Sequence, residues 1–431
     1  MKAKVKRLIK SDFATSSIYS AIATIIKLAT LLLMSKIVAV YLGKEGLGLI
    51  GQLTNFVAIA LVLAGGCINI GVIKYVSEYA ATDQNKLAVF LRTSLIFVLI
   101  LGISIGAILI IFSSFWAQLI LLNSDYASVF ILFGTTIILY GLNTYFLSVL
   151  NGFKQYRQYN IINIITSISG LILSYYLITN YSIIGAFYAI VTNQSLVFFI
   201  TLIFISKQKS FNKIAIREGF DVHQNKLLLR FILMTLTSTI FVPVVQLILR
   251  NYVIQNIGLS SAGIWEAISR ISNVHLVFIT TTLSTYYLPR LSEIQQKHEL
   301  RHEIIRMLKI ITPLVIISST VIFLYRYLII SVLFTADFNE AGTLFGWQLC
   351  GDIIKTIGWI IGFQMHAKAM VKTFIITEIL GGLSYLFISI LLVKYFGLIG
   401  TSMAYAINYF IYLVALLFIF RKLFFAKHKI G

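Results

Sequence analysis

Residues 41–48 read YLGKEGLG and residues 256–263 read NIGLSSAG, each placing two glycines five positions apart between long apolar runs. The likeness extends outward from there. NSDY at 123–126 answers TADF at 335–338, Phe133-Gly134 answers Phe345-Gly346, and YSIIG ending at Gly185 answers FGLIG ending at Gly400. One offset, drifting only between 212 and 215 residues, relates all of these pairs, which marks an internal duplication. Ser261, where the first half has Gly46, departs from the pattern.

What is duplicated follows from composition. Of 431 residues, 59% are hydrophobic and 12% charged, far from the averages of soluble domains, and only three prolines interrupt the chain. Apolar runs recur near the roughly 20 residues that a helix needs to cross about 30 Å of hydrocarbon. The strict alternation over about ten residues that a transmembrane barrel requires is missing. The chain therefore reads as an all-α integral membrane protein with twelve transmembrane spans: 14–42, 47–78, 88–113, 127–150, 160–179, 184–206, 227–256, 263–289, 304–334, 341–367, 373–394 and 398–421. Each copy holds an even number of spans, so the copies are parallel and related by an axis along the membrane normal. The expected organisation is an N-terminal lobe (1–206), a cytoplasmic linker (207–226) and a C-terminal lobe (227–431), six helices each, with a cleft between them.

Charge orients these spans. The formal charge is +20, and most of the 35 Lys and Arg fall in alternate loops: the N-terminus, Lys74 to Arg92, Lys154 and Arg157, Lys207 to Arg230, Arg290 to Lys309, Lys368 and Lys372, and the tail after Arg421. The opposite loops hold Lys44, Arg250, Arg326 and Lys394. Positive-inside bias then places both termini in the cytoplasm. Basic residues spread over many short loops suit anionic headgroups and not nucleic acid. The start, MKAKVKRLIKSDF, lacks a following A-x-A site and reads as the flank of a retained first span. Cys67 and Cys350 lie within spans and read as small buried side chains, and no spacing suggests a metal.

Charges at membrane depth cost about 2.5–3.5 kcal/mol each on insertion scales, so they face protein or a wet cavity. Lys27 sits mid-span behind Ser20 and Thr24 on one helical face, with Lys36 nearer the outer end. The seventh span aligns Thr235, Thr239, Gln246 and Arg250 around Pro243, a candidate hinge or a static kink. The eighth carries Glu266 and Arg270 four apart, then Asn273; the tenth carries Gln348, Asp352, Lys355 and Trp359. Lys27, Lys36, Arg250, Arg270 and Lys355 outnumber Glu266 and Asp352, so a cavity lined by them attracts anions. Two other readings stay open: Lys36 and Arg250 as interfacial snorkels, and the acid–base pairs as locks between helices. Glu378, near the cytoplasmic side of the eleventh span, either snorkels or takes a coupling cation, while His275 and His366 read as interior hydrogen-bonded residues.

Five stretches resemble the Wzx-type flippases of lipid-linked oligosaccharides, above all the O-antigen and enterobacterial common antigen branch: IIKLATLLLMSKIVAVYLGKEGLGLIGQ from Ile25, GVIKYVSEY from Gly71, GIWEAISRISN from Gly263, TYYLPRLSEI from Thr285 and LFGWQLCGDIIK from Leu344. That family stands in a superfamily with multidrug extruders and peptidoglycan-precursor flippases. The resemblance implies a V-shaped pair of six-helix lobes around a cationic central cavity. It also implies an inner-membrane transporter, not an enzyme, that moves undecaprenyl-pyrophosphate-linked oligosaccharide to the periplasmic leaflet, with a polysaccharide polymerase and a chain-length regulator as further partners. On this reading Lys27, Lys36, Arg250, Arg270 and Lys355 meet the pyrophosphate. Asp352 and Glu266 orient Lys355 and Arg270 in the empty state. No cofactor is called for; membrane potential, H+ and Na+ all stay open as the driving force. The rivals are a multidrug antiporter, which would need an excess of cavity carboxylates, and a polysaccharide polymerase, which would need a large extracytoplasmic catalytic loop.

Overall fold

A computed structural model describes residues 2–206, 222–368 and 370–424, and among these every regular element is helical. The first part of the expected linker, 207–221, lies outside the described residues, as do the tail 425–431 and the side chains of 1–18 and 222–238, Thr235 included. The helices are α1 (Lys2–Leu63), α2 (Asn69–Thr82), α3 (Gln84–Ile111), α4 (Ser113–Leu121), α5 (Ala127–Gly152), α6 (Tyr156–Ser206), α7 (Val222–Asn256), α8 (Leu259–Thr282), α9 (Leu288–Glu293), α10 (Lys297–Leu324), α11 (Arg326–Leu333), α12 (Phe345–Ala367), α13 (Val371–Phe396), α14 (Ile399–Ile419) and α15 (Arg421–Phe424).

Among the described residues, seven stretches are long and apolar enough to cross a membrane: Tyr19–Leu63, Gln84–Ile111, Ser124–Gly152, Tyr156–Ser206, Lys297–Leu324, Val371–Phe396 and Ile399–Ile419. Two of these have double length, and each is broken by one non-helical residue, Gly43 (φ 65°, ψ −163°) in α1 and Ser182 (φ 53°, ψ −134°) in α6. Their counterparts 215 positions on are Gly258 (φ 127°) and Gly397 (φ 61°, ψ −142°), which separate α7 from α8 and α13 from α14. The expected spans at 227–256, 263–289 and 341–367 are not among the seven. The last two carry Glu266, Arg270, Asp352 and Lys355, whose polarity lowers their mean hydropathy.

Several expected spans are also segmented. The run 47–78 is not one helix: α1 ends at Leu63, Gly65 turns the chain at φ 132°, a 3₁₀ turn covers Gly66–Ile68, and α2 follows. Adjacent glycines with poor helix propensity account for the break. The run 263–289 passes from α8 through a π-helical turn, Leu283–Tyr287, into α9, where Pro289 sits in the first turn and its missing N–H costs nothing. The run 304–334 divides at Tyr325 into α10 and α11.

Packing divides the chain into two compact units, Met1–Leu42 with Gln52–Val244, and Gly43–Gly51 with Val245–Gly431. The chain passes from one to the other next to Pro243, within an α7 that runs through the proline as a single helix. In the first unit, α3 and α5 meet backbone to backbone. A Cβ on Gly106 would lie 2.5 Å from the Gly134 carbonyl, and one on Gly134 2.6 Å from that of Gly106. Below them Tyr145 donates to the Leu91 carbonyl at 2.8 Å within a core of Val72, Phe90, Val98 and Val149. In the second unit, Tyr287 donates to the Ile360 carbonyl at 3.0 Å amid Ile304, Met307, Ile361 and Leu416.

The stretch 43–51 belongs to the second unit because its glycines fit α8. A Cβ on Gly48 would lie 2.9 Å from the Leu259 carbonyl, and one on Gly263 only 1.8 Å from that of Lys44. The two repeated turns therefore pack on one another, and Ser260 adds a hydrogen bond to Glu45 at 3.3 Å. Of the two cysteines, Cys67 is buried as expected, whereas Cys350 is exposed, because α12 turns that face away from its core side chains.

Gly263→Ala should destabilise the protein by about 1–3 kcal/mol, since the added methyl must displace backbone. Gly381→Ala, which meets nothing within 4 Å, should be neutral or stabilising; thermal melting in detergent compares the two. A second expectation concerns the start of α3, where the Asp83 carboxylate accepts from the amides of Asn85 at 3.0 Å and Lys86 at 3.1 Å. The Lys86 amide, foremost, and then the Asn85 amide hold its pKa below the ordinary aspartate value. A depressed folded pKa means the cap is complete above the unfolded value and lost as pH falls through the folded one. Hydrogen exchange at residues 85 and 86 should accelerate selectively as pH drops below the usual aspartate range, and Asp83→Ala should remove that dependence.

Candidate functional site

Arg250, Glu266, Arg270, Asp352 and Lys355 of the second unit form two largely buried clusters. The first begins with helical spacing: Gln246 and Arg250 share a face of α7, Glu266 and Arg270 a face of α8. Glu266 receives Nη2 of Arg250 at 2.6 Å and Nε of Arg270 at 2.8 Å. Arg250 is only 2% exposed, and its guanidinium lies over the Trp265 ring at 5.3 Å. Space for it comes from Gly51, where a Cβ would stand 2.3 Å from Nη1 of Arg250 and 2.7 Å from Oε2 of Glu266. Arg250 thus sits inside the packing and not at an interface. Two cations sharing one carboxylate leave a positive remainder that desolvation makes expensive, and loss of the carboxylate alone would strand both.

The second cluster centres on Asp352, which has no exposed surface. Its Oδ1 accepts from Ser272 at 2.7 Å and from the Tyr405 hydroxyl at 2.9 Å, and its Oδ2 faces Nδ1 of His275 at 3.4 Å. Gln348 donates to Ser272 at 3.2 Å and accepts from Ser402 at 3.4 Å. Lys355 does not pair directly with Asp352 as the sequence suggested. Its Nζ donates to the Tyr405 hydroxyl at 3.1 Å, so a phenol relays the carboxylate to the ammonium. The three-residue step along α12 places the two side chains on one face, yet Tyr405 from α14 enters between them. Gly351 admits that ring, since a Cβ there would lie 2.3 Å from Tyr405 Cδ1.

Lys355 is caged as well as bonded. Its Nζ lies 4.7 Å from the Trp359 ring centroid, 5.2 Å from Tyr405 and 4.7 Å from Tyr409. Desolvated ring faces attract an ammonium electrostatically, each worth about 1–2 kcal/mol. Glu378 on α13 is half-buried and near enough to interact with Lys355 through charge. Within these two clusters, Arg250, Arg270 and Lys355 are therefore balanced in number by Glu266, Asp352 and Glu378.

The other half of His275 supplies a further link. Nε2 meets Ser318 Oγ at 2.8 Å, and that hydroxyl also reaches the Val315 carbonyl at 3.1 Å. A serine has one proton to give. When it goes to Val315, Ser318 must accept from Nε2–H; when it goes to Nε2, the ring can donate through Nδ1 to Asp352.

Lys27 and Lys36 lie on α1 in the first unit, Lys27 exposed and Lys36 half-buried. Residues 13–43 contain no acidic side chain. Ser20 of the same stripe is engaged by Asn160 of α6 at 2.9 Å, and Thr24 bonds back to the Ser20 carbonyl. Sequence reasoning missed the tyrosines of α14, although Tyr405, Tyr409 and Tyr412 at helical spacing in the last span were a readable signal. It also missed Gly51 and Gly351, whose role depends on which helix packs over them.

Comparison with known proteins places this architecture. Residues 37–342 match the family described as polysaccharide biosynthesis protein. A Lipid III flippase of Escherichia coli (strain K12) is 27% identical over 405 residues, covering 93% of this chain and 96% of that protein. Among solved structures, an inward-facing multidrug resistance MATE transporter of the MOP superfamily superposes with a TM-score of 0.77 at 17% identity, covering 92% of this chain and 97% of the other. The Lipid II flippase MurJ in an inward closed conformation gives 0.74 at 19% identity, covering 95% and 87%. The fold is the all-α, multi-pass fold that these solved structures share, and the chain belongs to the polysaccharide biosynthesis protein family.

Proposed function

We propose that this protein is a flippase of the bacterial inner membrane. It carries an undecaprenyl-pyrophosphate-linked oligosaccharide, an O-antigen or enterobacterial common antigen repeat unit, from the cytoplasmic to the periplasmic leaflet by alternating access. Twelve spans in two parallel six-helix lobes, with both termini cytoplasmic, form the working architecture. The observation that carries the reading is the near end-to-end likeness to a Lipid III flippase.

Charge supports it. A pyrophosphate diester bears about two negative charges, which cannot enter hydrocarbon without replacement of their hydration. Lys27 and Lys36, on a helix segment without acids, supply part of this replacement, whereas Arg250 and Arg270 already share Glu266. Lys355 acts second, released to phosphate when Tyr405 shifts. An inside-negative potential favours outward movement of the head by about 2.3 kcal/mol per charge per 100 mV.

The Asp352–His275–Ser318 chain favours a coupling proton over a purely electrophoretic process. A proton arriving at His275 changes which partner Ser318 serves, and Asp352 is fully enclosed by α8, α12 and α14 donors.

In proteoliposomes offering a lipid-pyrophosphate oligosaccharide, Lys27→Ala with Lys36→Ala should slow flipping at least about tenfold, the loss of one or two charge-assisted contacts, with little change in melting. Wild-type flipping by that double variant would sink the phosphate-binding assignment. Asp352→Asn should abolish the response of flipping to an imposed pH gradient at fixed potential. If wild-type protein shows no such response while a potential alone drives transport, the proton step is wrong.

A further inference from the structure

The duplicated glycine pair Gly134 and Gly346 has diverged in surroundings. Gly134 is buried against Gly106 and Ile110, with no room for a Cβ. At Gly346, by contrast, a Cβ would meet only the edge of Phe323 at 3.7 Å, and the residue is exposed. It opens onto a cavity of about 590 Å³ lined by Phe323, Arg326, Tyr327, Trp347 and Cys350. Gly342 keeps this space by letting Tyr327 fold over it, a Cβ there lying 2.5 Å from the ring. The short helix after the spanning helix begins with Ser113 in the first repeat and with Arg326 in the second, so the opening is accompanied by a cation.

The cavity stands where α10 ends and the chain turns through α11 and a 3₁₀ segment, Ala336–Thr343, into α12. α10 has 28 residues, about 42 Å at 1.5 Å per residue, so its end reaches headgroup depth. Arg326 lies over Phe323 at 4.3 Å and Tyr327 at 4.7 Å, and donates from Nη1 to the Phe323 carbonyl at 2.8 Å. Its Nε is buried without a hydrogen-bond partner, and among the described residues it forms no ion pair. Asp337 and Glu340 are close in sequence but do not line the cavity, and no acidic side chain does.

We infer that this cavity binds the phosphate headgroup of an anionic phospholipid from the adjacent leaflet. A guanidinium fork matches a phosphodiester, and the aromatic rings take its glycerol and the first methylenes at the depth where tyrosine and tryptophan concentrate in membrane proteins. Absence of a carboxylate leaves nothing for the ammonium of a zwitterionic headgroup, so phosphatidylglycerol is preferred to phosphatidylethanolamine. The inference needs only the membrane fold and does not depend on which glycolipid is transported.

Cys350 in the cavity is exposed and Cys67 is buried, so alkylation of the full-length protein in detergent reads the site directly. Phosphatidylglycerol should slow alkylation of Cys350, and phosphatidylethanolamine should not. Arg326→Gln should weaken that protection about tenfold, the change expected for one lost charge-assisted hydrogen bond, while melting is retained. Gly346→Leu, which fills the cavity without striking backbone, should protect Cys350 in the absence of lipid and abolish the lipid response, so the inference stays testable if Arg326→Gln fails to fold. Equal protection by both phospholipids, or equal protection of wild type and Arg326→Gln, overturns a headgroup site and leaves an aromatic belt. Protection by inorganic phosphate alone or by a lipid-linked pyrophosphate alone, without phosphatidylglycerol, overturns the phospholipid assignment.

Discussion

Two backbones touch where Gly48 and Gly263 face Lys44 and Leu259, and much of the second unit follows from that contact. Close approach of the two repeated turns places Gly51 over α7 and α8. There the missing side chain leaves a slot that Arg250 and Glu266 fill. A larger residue at any of these glycines would push the helices apart. It would also open the Arg250–Glu266–Arg270 cluster to partial solvation, and a buried ion pair loses more by losing a partner than it gains by existing. The glycines and the charges are one construction.

Desolvation then explains why the charges of the two inner clusters in the second unit are matched. Each ionised group at membrane depth demands a counter-charge or a dipole, and Arg250, Arg270 and Lys355 find theirs in Glu266, Asp352 and Glu378. Tyr405 is the unusual member, since its single hydroxyl accepts from Lys355 and donates to Asp352. A phenol between ammonium and carboxylate keeps them apart at a modest cost and makes their coupling adjustable by a ring movement. A direct contact would have been stronger and harder to release.

How much of this was legible in sequence depends on the range of the interaction. The helical class, the duplication and the turn glycines at 43 and 258 are written in local patterns, and so was the Glu266–Arg270 pair, four residues apart on one helix. Ser182 was not, because nothing marks a serine as adopting a conformation that Gly397 holds in the other copy. The division of 47–78 at Gly65 was hidden because apolarity persists through the break, and apolarity was the signal being read. Arg250 pairing with Glu266, and Tyr405 entering between Asp352 and Lys355, arise between helices. Single-helix periodicity states which face a residue occupies but not what arrives opposite.

Divergence between the copies carries the last step. The same turn architecture, a spanning helix followed by a short helix and a 3₁₀ segment, occurs at Ser113–Tyr126 and at Arg326–Thr343. Had the fold alone dictated these ends, both would be packed as tightly as Gly134 is against Gly106. In the second copy the glycine is kept, but no backbone comes close to it, and the Phe323 ring at the end of α10 is its nearest neighbour. Keeping the small residue without the close backbone approach separates the requirement for space from the requirement for close packing. A cation without a counter-ion at that end contrasts with the neutralised clusters deeper in the same unit. The difference is what headgroup depth permits: water and phosphate are at hand there, so an unpaired guanidinium is stable and available.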